Sequence, residues 1–305
     1  MSLLWVEELS SLHAGPTKAH QEAMDQLRDV GPGAVPVIDP DMVRKALSSF
    51  FPTSGAGPSG LRPSHLQEVL RHSSGDQTLR LISEVIQLML RGEIQDDIRP
   101  WICGASLMAL RKPNGSLRPV AVSESLRRLY SKVAVELMGS SVRTILVPIQ
   151  VGVQTKKQGA RLSFHTTRQW TKTFCGDPDR VLLLLDLSNA FNCVSRAAVL
   201  SAVRRHFPWM TPWADTCYRH DSNLLVGSSR IQSRRGVQQG DPLWPSLFPL
   251  AVHPCVVEAI RISEAQYPWD LDYKAFFLDA QMISGFTDGD VCHLAVAYRP
   301  LDEKW

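Results

Sequence analysis

Residues 181–192 read Val-Leu-Leu-Leu-Leu-Asp-Leu-Ser-Asn-Ala-Phe-Asn, and this segment constrains the fold more than any other. An unbroken apolar run predicts a strand covered on both faces, with Asp186 at its exit. A carboxylate at that edge can be reached by a metal ion or a phosphate. A purely structural interpretation also stands, because an Asp after a strand is often a turn residue or a helix cap. Ser195 likewise predicts a capped helix that starts at the next residue.

The composition describes an ordinary globular protein. The chain has 305 residues, of which 44% are apolar and 21% charged, enough for two packed subdomains. The first residues lack the order of a signal peptide, and the longest apolar stretch, 242–262, is interrupted by prolines and by His253 and Glu258. The six cysteines form no Cys-x-x-Cys pair. We therefore expect an intracellular protein of the nucleus or cytoplasm, without a membrane span or a structural zinc.

Positive charge is concentrated in one part of the chain. The net charge is only +3, yet residues 99–172 contain 13 Lys and Arg against 2 Glu. Such a block predicts a surface that meets a polyanion, although Arg127, Arg128 and Lys132 could simply belong to a solvated helix face. The residues that we select as candidates for nucleic-acid binding are Lys156, Lys157, Arg161 and Arg168.

The first hundred residues predict mainly helices. One is expected near 18–27, and a second is capped by Asp39 with Pro40 in its first turn. A Gly-, Pro- and Ser-rich segment, 53–63, predicts a flexible loop that leads into a helix capped by Ser64. Another helix is expected over 77–90.

A β-hairpin is predicted between residues 105 and 122. Its two strands flank Pro113-Asn114-Gly115, and Asn-Gly supplies the positive φ angles of a tight turn. Lys112 and Arg118 stand beside that turn. Two cations held near the tip of a rigid hairpin can clamp a polyphosphate, although cations are also frequent on exposed hairpins.

A second hairpin is predicted over residues 222–233, with its turn at Gly227-Ser228, and a loop follows it. Residues 236–243 of that loop read Gly-Val-Gln-Gln-Gly-Asp-Pro-Leu, and Asp241 with Pro242 predicts the start of a long apolar helix. Gly240 would allow a ligand to approach the backbone closely, and Gln239 offers an amide to a base or a sugar.

Taken in order, these segments resemble the reverse transcriptase domain of non-LTR retrotransposons, from about residue 55 to residue 285. Five segments carry the resemblance: the opening loop 55–63, the fingers hairpin 110–120, the connecting stretch 150–168, the first catalytic motif 186–191 and the template-and-nucleotide loop 236–243. The resemblance implies an α+β right-hand polymerase fold, with helical and hairpin fingers and an antiparallel palm sheet backed by helices. On that basis we expect a helical N-terminal extension over 1–50, fingers and their connection to the palm over 51–180, and a palm over 181–305 that stops before the thumb.

The resemblance also implies roles for particular residues. Asp186, together with Asp279, would be catalytic and would hold two Mg²⁺ or Mn²⁺ ions. The incoming deoxynucleoside triphosphate would be bound by Lys112, Arg118, Phe191, Gln239 and Gly240, with Phe191 beneath the sugar excluding a ribose 2′ hydroxyl. The implied partners are an RNA template and a DNA primer.

The final catalytic motif departs from the family pattern. Family members carry two adjacent aspartates at the turn of a palm hairpin, whereas residues 276–281 read Phe-Phe-Leu-Asp-Ala-Gln. Asp279 is therefore followed by Ala280 where the second acid belongs. The pair Asp288 and Asp290 is an alternative metal turn, but it lacks a comparable apolar approach strand. From the motif assignments we predict that Asp186 and Asp279 lie side by side on neighbouring strands.

Three hypotheses follow. The first is an RNA-directed DNA polymerase domain of retrotransposon origin whose activity is impaired by Ala280. The second is an inactive remnant that only binds nucleic acid. The third is a structural or interaction protein that uses the palm as a scaffold. The sequence leaves the oligomeric state and the template open.

Overall fold

A computed structural model describes residues 3–266 except 14, 28–30, 32, 114, 148, 151–158, 178–180 and 187–188, and also describes residues 276–280 and 292–298. For residues 3–4, 159–160, 162–163, 181–186, 262–266 and the last two segments, the description covers the backbone only. The chain divides into two compact units, each assembled from two stretches of sequence. The first comprises residues 1–138 and 191–251, and the second comprises 139–190 and 252–305. The predicted boundaries at residues 50 and 180 stay a prediction.

The first unit is largely helical. Its helices are α1 (Leu3–Leu12), α2 (Lys18–Asp25), α3 (Pro40–Ser48), α4 (Pro63–Val69), α5 (Gly75–Leu90), α6 (Arg99–Ile102), α7 (Ser125–Met138), α11 (Arg196–His206) and α12 (Thr211–Tyr218). The short helix α10 (Ala190–Cys193) leads into this unit, and α13 (Trp244–Gln266) starts in it. A four-stranded mixed sheet completes it.

That sheet is formed by the two predicted hairpins. The strands β1 (Ala105–Arg111) and β2 (Leu117–Ser123) pair antiparallel, as do β4 (Ser222–Val226) and β5 (Ser229–Ser233). The hairpins join through a parallel pairing of β1 with β4, which gives the order β2-β1-β4-β5. Gly115 has the positive φ angle (85°) that the Asn-Gly turn predicted, and Gly227, at the predicted second turn, also has a positive φ angle of 59°.

One face of the sheet forms a hydrophobic core with helix α1. Alternate residues of the strands, including Leu107, Leu117 and Leu224, are buried there against Leu9, which is fully enclosed. The sequence did not predict α1, because its apolar residues acquire a clear role only when the sheet is present to receive them.

Two helix caps test the local predictions. The Oδ1 atom of Asp39 accepts the Asp41 N–H at 3.0 Å, and the Ser195 hydroxyl accepts the Ala198 N–H at 3.4 Å, so both predicted caps are confirmed. The predicted cap at Ser64 is wrong, since α4 starts at Pro63 and Arg62, two residues before Ser64, occupies the cap position. Pro63 supplies the helical φ angle of the first turn there.

The second unit contains a three-stranded antiparallel sheet. Its strands are β3 (Val181–Asp186), β6 (Phe276–Ala280) and β7 (Cys292–Tyr298), in the order β3-β7-β6. The helices α8 (Ser141–Leu146) and α9 (Gly159–Phe174) also belong to this unit, and α9 contacts β6. The strand predicted from the apolar run at 181–185 is therefore present, with Asp186 as its last residue.

Candidate functional site

The loop 236–243 starts at a glycine that is packed against the backbone of Phe191 and Asn192. Gly236 has φ 70°, and a Cβ atom placed on it would lie 2.3 Å from the carbonyl oxygen of Phe191. Its N–H donates to Val194 O at 3.0 Å, and the next N–H, of Val237, donates to Phe191 O at 2.9 Å. Only glycine fits this position, which ties the loop to helix α10.

The second glycine of the loop contacts the β1–β2 hairpin. Gly240 has φ 115°, and an added Cβ would lie 2.4 Å from the carbonyl oxygen of Ala121 in β2. The N–H of Ala121 in turn donates to Gln239 O at 2.8 Å. The close approach that we expected at Gly240 is thus made by the protein's own β2 backbone. The role predicted for Gln239 and Gly240 toward a nucleotide stays a prediction.

A fully buried ion pair anchors the end of the loop. The Nε atom of Arg127 donates to the Oδ2 atom of Asp241 at 2.8 Å, and the two side chains are 0% and 2% exposed. The Oδ1 atom of Asp241 accepts the Leu243 N–H at 3.0 Å. The guanidinium also donates to Cys103 O at 2.7 Å and to the Tyr218 hydroxyl at 3.3 Å. The solvated helix face considered for Arg127 is therefore wrong, because this side chain completes an internal network.

Sequence reasoning missed a second interior arginine, Arg196. Its guanidinium donates to the carbonyl oxygens of Gly236 at 3.1 Å, His220 at 3.1 Å and Ser233 at 3.0 Å. Burial lowers the pKa of Arg196 to about 10. Arg196 follows a predicted cap residue, and nothing in the surrounding pattern distinguishes it from a solvent-facing helix cation.

Phe191 packs between aromatic neighbours. Its ring lies edge-on to Trp244 and Phe248, at centroid distances of 4.2 and 4.8 Å, and the residue is 7% exposed. Such edge-to-face packing orients the ring firmly. The predicted contact of Phe191 with a sugar stays a prediction.

Lys112 and Arg118 lie at the end of the β1–β2 hairpin as expected. The N–H of Lys112 donates to Ser116 O at 2.8 Å, and Arg118 pairs in register with Leu110. Both residues are half-buried. The hairpin is hydrogen-bonded to the loop through Ala121 of β2 and Gln239. The loop is in turn hydrogen-bonded to Phe191. The hairpin with Lys112 and Arg118, the loop and Phe191 therefore belong to one hydrogen-bonded framework in the first unit.

The opening loop 55–63 is anchored, in contrast to the flexible loop that we expected. Ser59 donates its N–H and its hydroxyl to the two carboxylate oxygens of Glu124, both at 2.6 Å. A Cβ on Gly57 would lie 2.7 Å from the Glu124 Cα atom, so this glycine permits the contact. Arg128 donates to Gly55 O at 2.6 Å, which makes this cation part of the framework as well.

The two predicted catalytic acids occupy one row of the second unit's sheet. Asp186 pairs in register with His293 of β7, and so does Asp279 from the other side. Our prediction of neighbouring strands is wrong, because the return strand β7 is the one that pairs with β3. With strands about 4.8 Å apart, the two backbones are separated by roughly 10 Å. Asp288 and Asp290, the alternative turn, lie outside the described residues.

The predicted nucleic-acid cations are only partly described. Arg161 and Arg168 lie on α9, and both are exposed. Lys156 and Lys157 lie outside the described residues. Among the side chains that are described, no group of three His, Cys, Asp or Glu residues could hold a metal ion. No helix within the described part is long and apolar enough to cross a membrane.

The described chain is thus an α+β protein with a mixed four-stranded sheet, many helices and a separate antiparallel sheet that carries two acids. It is 29% identical over 230 residues to the "Retrotransposable element SLACS 132 kDa protein" of Trypanosoma brucei gambiense, a match that covers 71% of this chain. The chain spans only 18% of that relative's length. No protein-family model matches the chain. The similarity indicates an origin in a retrotransposable element.

Breaking the buried ion pair should strongly destabilise the protein. We expect Arg127→Met to lower the free energy of unfolding by about 3–5 kcal/mol, because Asp241 would be left as an unpaired buried charge. Urea unfolding measures the change. The matched control is Lys45→Met, which breaks the exposed pair with Glu136 and should cost at most about 1 kcal/mol. Arg127→Met combined with Asp241→Asn should recover part of the loss. If Arg127→Met and Lys45→Met lowered the free energy of unfolding by the same amount, the structural role assigned to the buried network would be wrong.

Substitution of Gly240 should show how much of its contribution to stability comes from the close backbone contact and how much from the positive φ angle. We expect Gly240→Ala to be about 1–3 kcal/mol more destabilising than Gly60→Ala, because overpacking adds to the cost of a positive φ angle. Gly60 also has a positive φ, 79°, but has no atom within 4 Å of an added Cβ. The free energies of unfolding of the Gly240→Ala and Gly60→Ala variants should be measured in parallel. Equal values would show that the backbone at Ala121 can move away from the added methyl group without a loss of stability.

Proposed function

We propose that this chain is a polymerase domain of the reverse transcriptase class, derived from a retrotransposable element and catalytically impaired. One observation carries the proposal: the hairpin with Lys112 and Arg118, the helix with Phe191 and the loop 236–243 are joined by direct backbone hydrogen bonds. These are the segments whose sequences resemble the family, and they are bonded to one another although they lie far apart in the sequence. The similarity to a retrotransposable element protein supports the same conclusion.

The first unit supplies a framework suited to a nucleotide. A Lys and an Arg at the end of a rigid hairpin can bind phosphate oxygens, with the guanidinium contacting two of them at once. Phe191 would limit the space at the 2′ position of the sugar, since its ring cannot swing away from Trp244 and Phe248 without losing edge-to-face packing. Gln239 and Gly240 would face the base and the template.

The two predicted acids lie in the second unit. Asp186 and Asp279, in one row of the sheet, offer the hard oxygen donors that Mg²⁺ and Mn²⁺ prefer. When bound, the ions would activate the primer 3′ hydroxyl and stabilise the leaving pyrophosphate. Two carboxylates fit one divalent ion better than two. With Ala280 in place of a third acid, less negative charge is available to offset the repulsion between two ions.

The missing acid is the reason for proposing impairment. Loss of a ligand from such a site lowers metal occupancy and loosens its geometry, and a rate reduction on the order of 10³-fold is a fair expectation. Nucleic-acid binding does not need these acids, so a protein without polymerase activity would still retain it.

Primer extension tests the proposal. The chain as written should add a nucleotide very slowly to an RNA-templated DNA primer with Mg²⁺ or Mn²⁺, and Ala280→Asp with Gln281→Gly should increase the rate. The restored acid raises metal occupancy, so single-nucleotide addition at high protein concentration is the appropriate readout. The gain should disappear when Asp186→Asn is added, which excludes a contaminating polymerase.

Two outcomes would contradict this proposal. Robust extension by the unmodified chain, abolished by Asp186→Asn, would show that the site is not impaired. No extension by the restored variant, together with no binding of primer and template, would remove the polymerase assignment altogether.

The sugar-contact role of Phe191 can be tested in the restored variant. Phe191→Ala should raise the incorporation of ribonucleotides relative to deoxynucleotides, because the substitution opens space beneath the sugar. It also removes buried packing, so Phe248→Ala is the matched control, since it disturbs the same aromatic cluster. The ratio of ribonucleotide to deoxynucleotide addition should change with the first substitution only. Equal ratios in both variants would show that Phe191 is solely a packing residue.

A further inference from the structure

Helix α9 carries a line of basic side chains on one face. Arg161, His165, Arg168 and Lys172 follow one another at intervals of four, three and four residues, and all are exposed. At 3.6 residues per turn they fall within about 60° of the helix circumference, over a length of about 16 Å. We call these four residues the basic stripe.

The opposite face of α9 is the one that packs. Thr166, Trp170 and Phe174 are half-buried, and the rings of the last two lie 5.5 Å apart. These positions are on the other side of the helix from the basic stripe. Because the opposite face of α9 is the packed one, the side chains of the basic stripe point outward.

Among the described residues, the charges of the basic stripe have no acidic partner nearby. Residues 159–174 contain no Asp or Glu. Within the described part of the chain, no carboxylate lies at ion-pair distance from Arg161, Arg168 or Lys172. Like charges four residues apart on a helix repel each other, so Arg168 and Lys172 are mildly unfavourable without an anionic partner.

An exposed aromatic ring borders the stripe. Phe164 is 61% exposed, and its ring lies edge-on to His165 at 5.6 Å. Proteins that bind single strands combine cations along the backbone with aromatic rings on which bases stack. A duplex keeps its base faces covered, and so would leave Phe164 without a partner. A lipid surface would favour a broad apolar face, but Trp170 and Phe174 point away from the stripe.

We propose that the basic stripe and Phe164 form a binding site for a single-stranded nucleic acid, with phosphates along the cations and a base stacked on the ring. At about 3.4 Å per nucleotide, the stripe spans roughly five nucleotides. The inference rests on the proposed function only for the class of partner, and it requires no polymerase activity. It adds His165, Lys172 and Phe164 to the two arginines predicted from the sequence.

Fluorescence anisotropy with labelled 12-nucleotide single strands of RNA and DNA tests the cations on the full chain. The stripe variant combines Arg161→Gln, Arg168→Gln and Lys172→Gln. The control variant has the same change in charge on exposed arginines of the first unit, with Arg71→Gln, Arg80→Gln and Arg230→Gln. At 50 mM salt, the stripe variant should bind at least about tenfold more weakly than the control. Its slope of log affinity against log salt should be shallower by about 2, as expected for three lost phosphate contacts.

Phe164→Ala tests the stacking. It should weaken binding of a base-containing 12-mer about tenfold and leave an abasic 12-mer of equal charge unaffected, because only the former can stack. Phe51→Ala, at a ring that is 66% exposed in the first unit, should change neither. Circular dichroism and thermal unfolding should show that all variants fold.

The outcomes separate this inference from the proposed function. If the parent chain binds nucleic acid but the stripe and control variants bind equally, the inference is wrong and the proposed function stands. Stripe-dependent binding to vesicles of phosphatidylserine and phosphatidylcholine, without binding to the 12-mers, would also overturn the inference. If the parent chain binds neither single strands nor primer and template, both proposals are wrong.

Discussion

The ion pair between Arg127 and Asp241 is the interaction on which the first unit depends. Both side chains are almost completely removed from water, and such a pair is tolerated only where hydrogen bonds satisfy the remaining donors. Cys103 and Tyr218 provide them, so helix α7, the start of β1, helix α12 and the loop before α13 share one network. Burial also raises the pKa of Tyr218 above its ordinary value, so its hydroxyl remains neutral even in moderately alkaline solution. Removing any member would leave the others with unpaired polar groups.

The backbone contacts around Gly236 and Gly240 extend that network to the candidate site. Each glycine lets another segment come closer than any side chain would permit, in one case α10 and in the other β2. These contacts decide where Phe191 and the hairpin cations lie relative to the loop. The hydrogen bonds of this framework are made by the backbone itself, and such a framework is suited to presenting several side chains together.

The basic side chains of residues 99–172 fall into a buried group and an exposed group. Arg127 and Arg128 are buried and hold loops together, whereas Arg161, Arg168 and Lys172 are exposed on α9. Net charge in a sequence window cannot distinguish these cases, because the difference depends on which cations find acids and carbonyl oxygens in the folded chain. Glu124, one of the two acids in the block, accepts two hydrogen bonds from Ser59 and therefore contributes to structure more than to the surface potential.

The sequence by itself determined those elements that depend only on neighbouring residues. The two hairpins follow from their glycine turns, the caps at Asp39 and Ser195 follow from short side chains that accept backbone N–H groups, and the apolar run before Asp186 follows from its hydrophobicity. Only the tertiary structure decided that α1 covers the sheet, that Arg127 and Arg196 are internal, and that β7 separates the strands of Asp186 and Asp279. The physical reason is that burial, ion pairing and strand order depend on partners far away in the chain, and no periodicity within a segment records them.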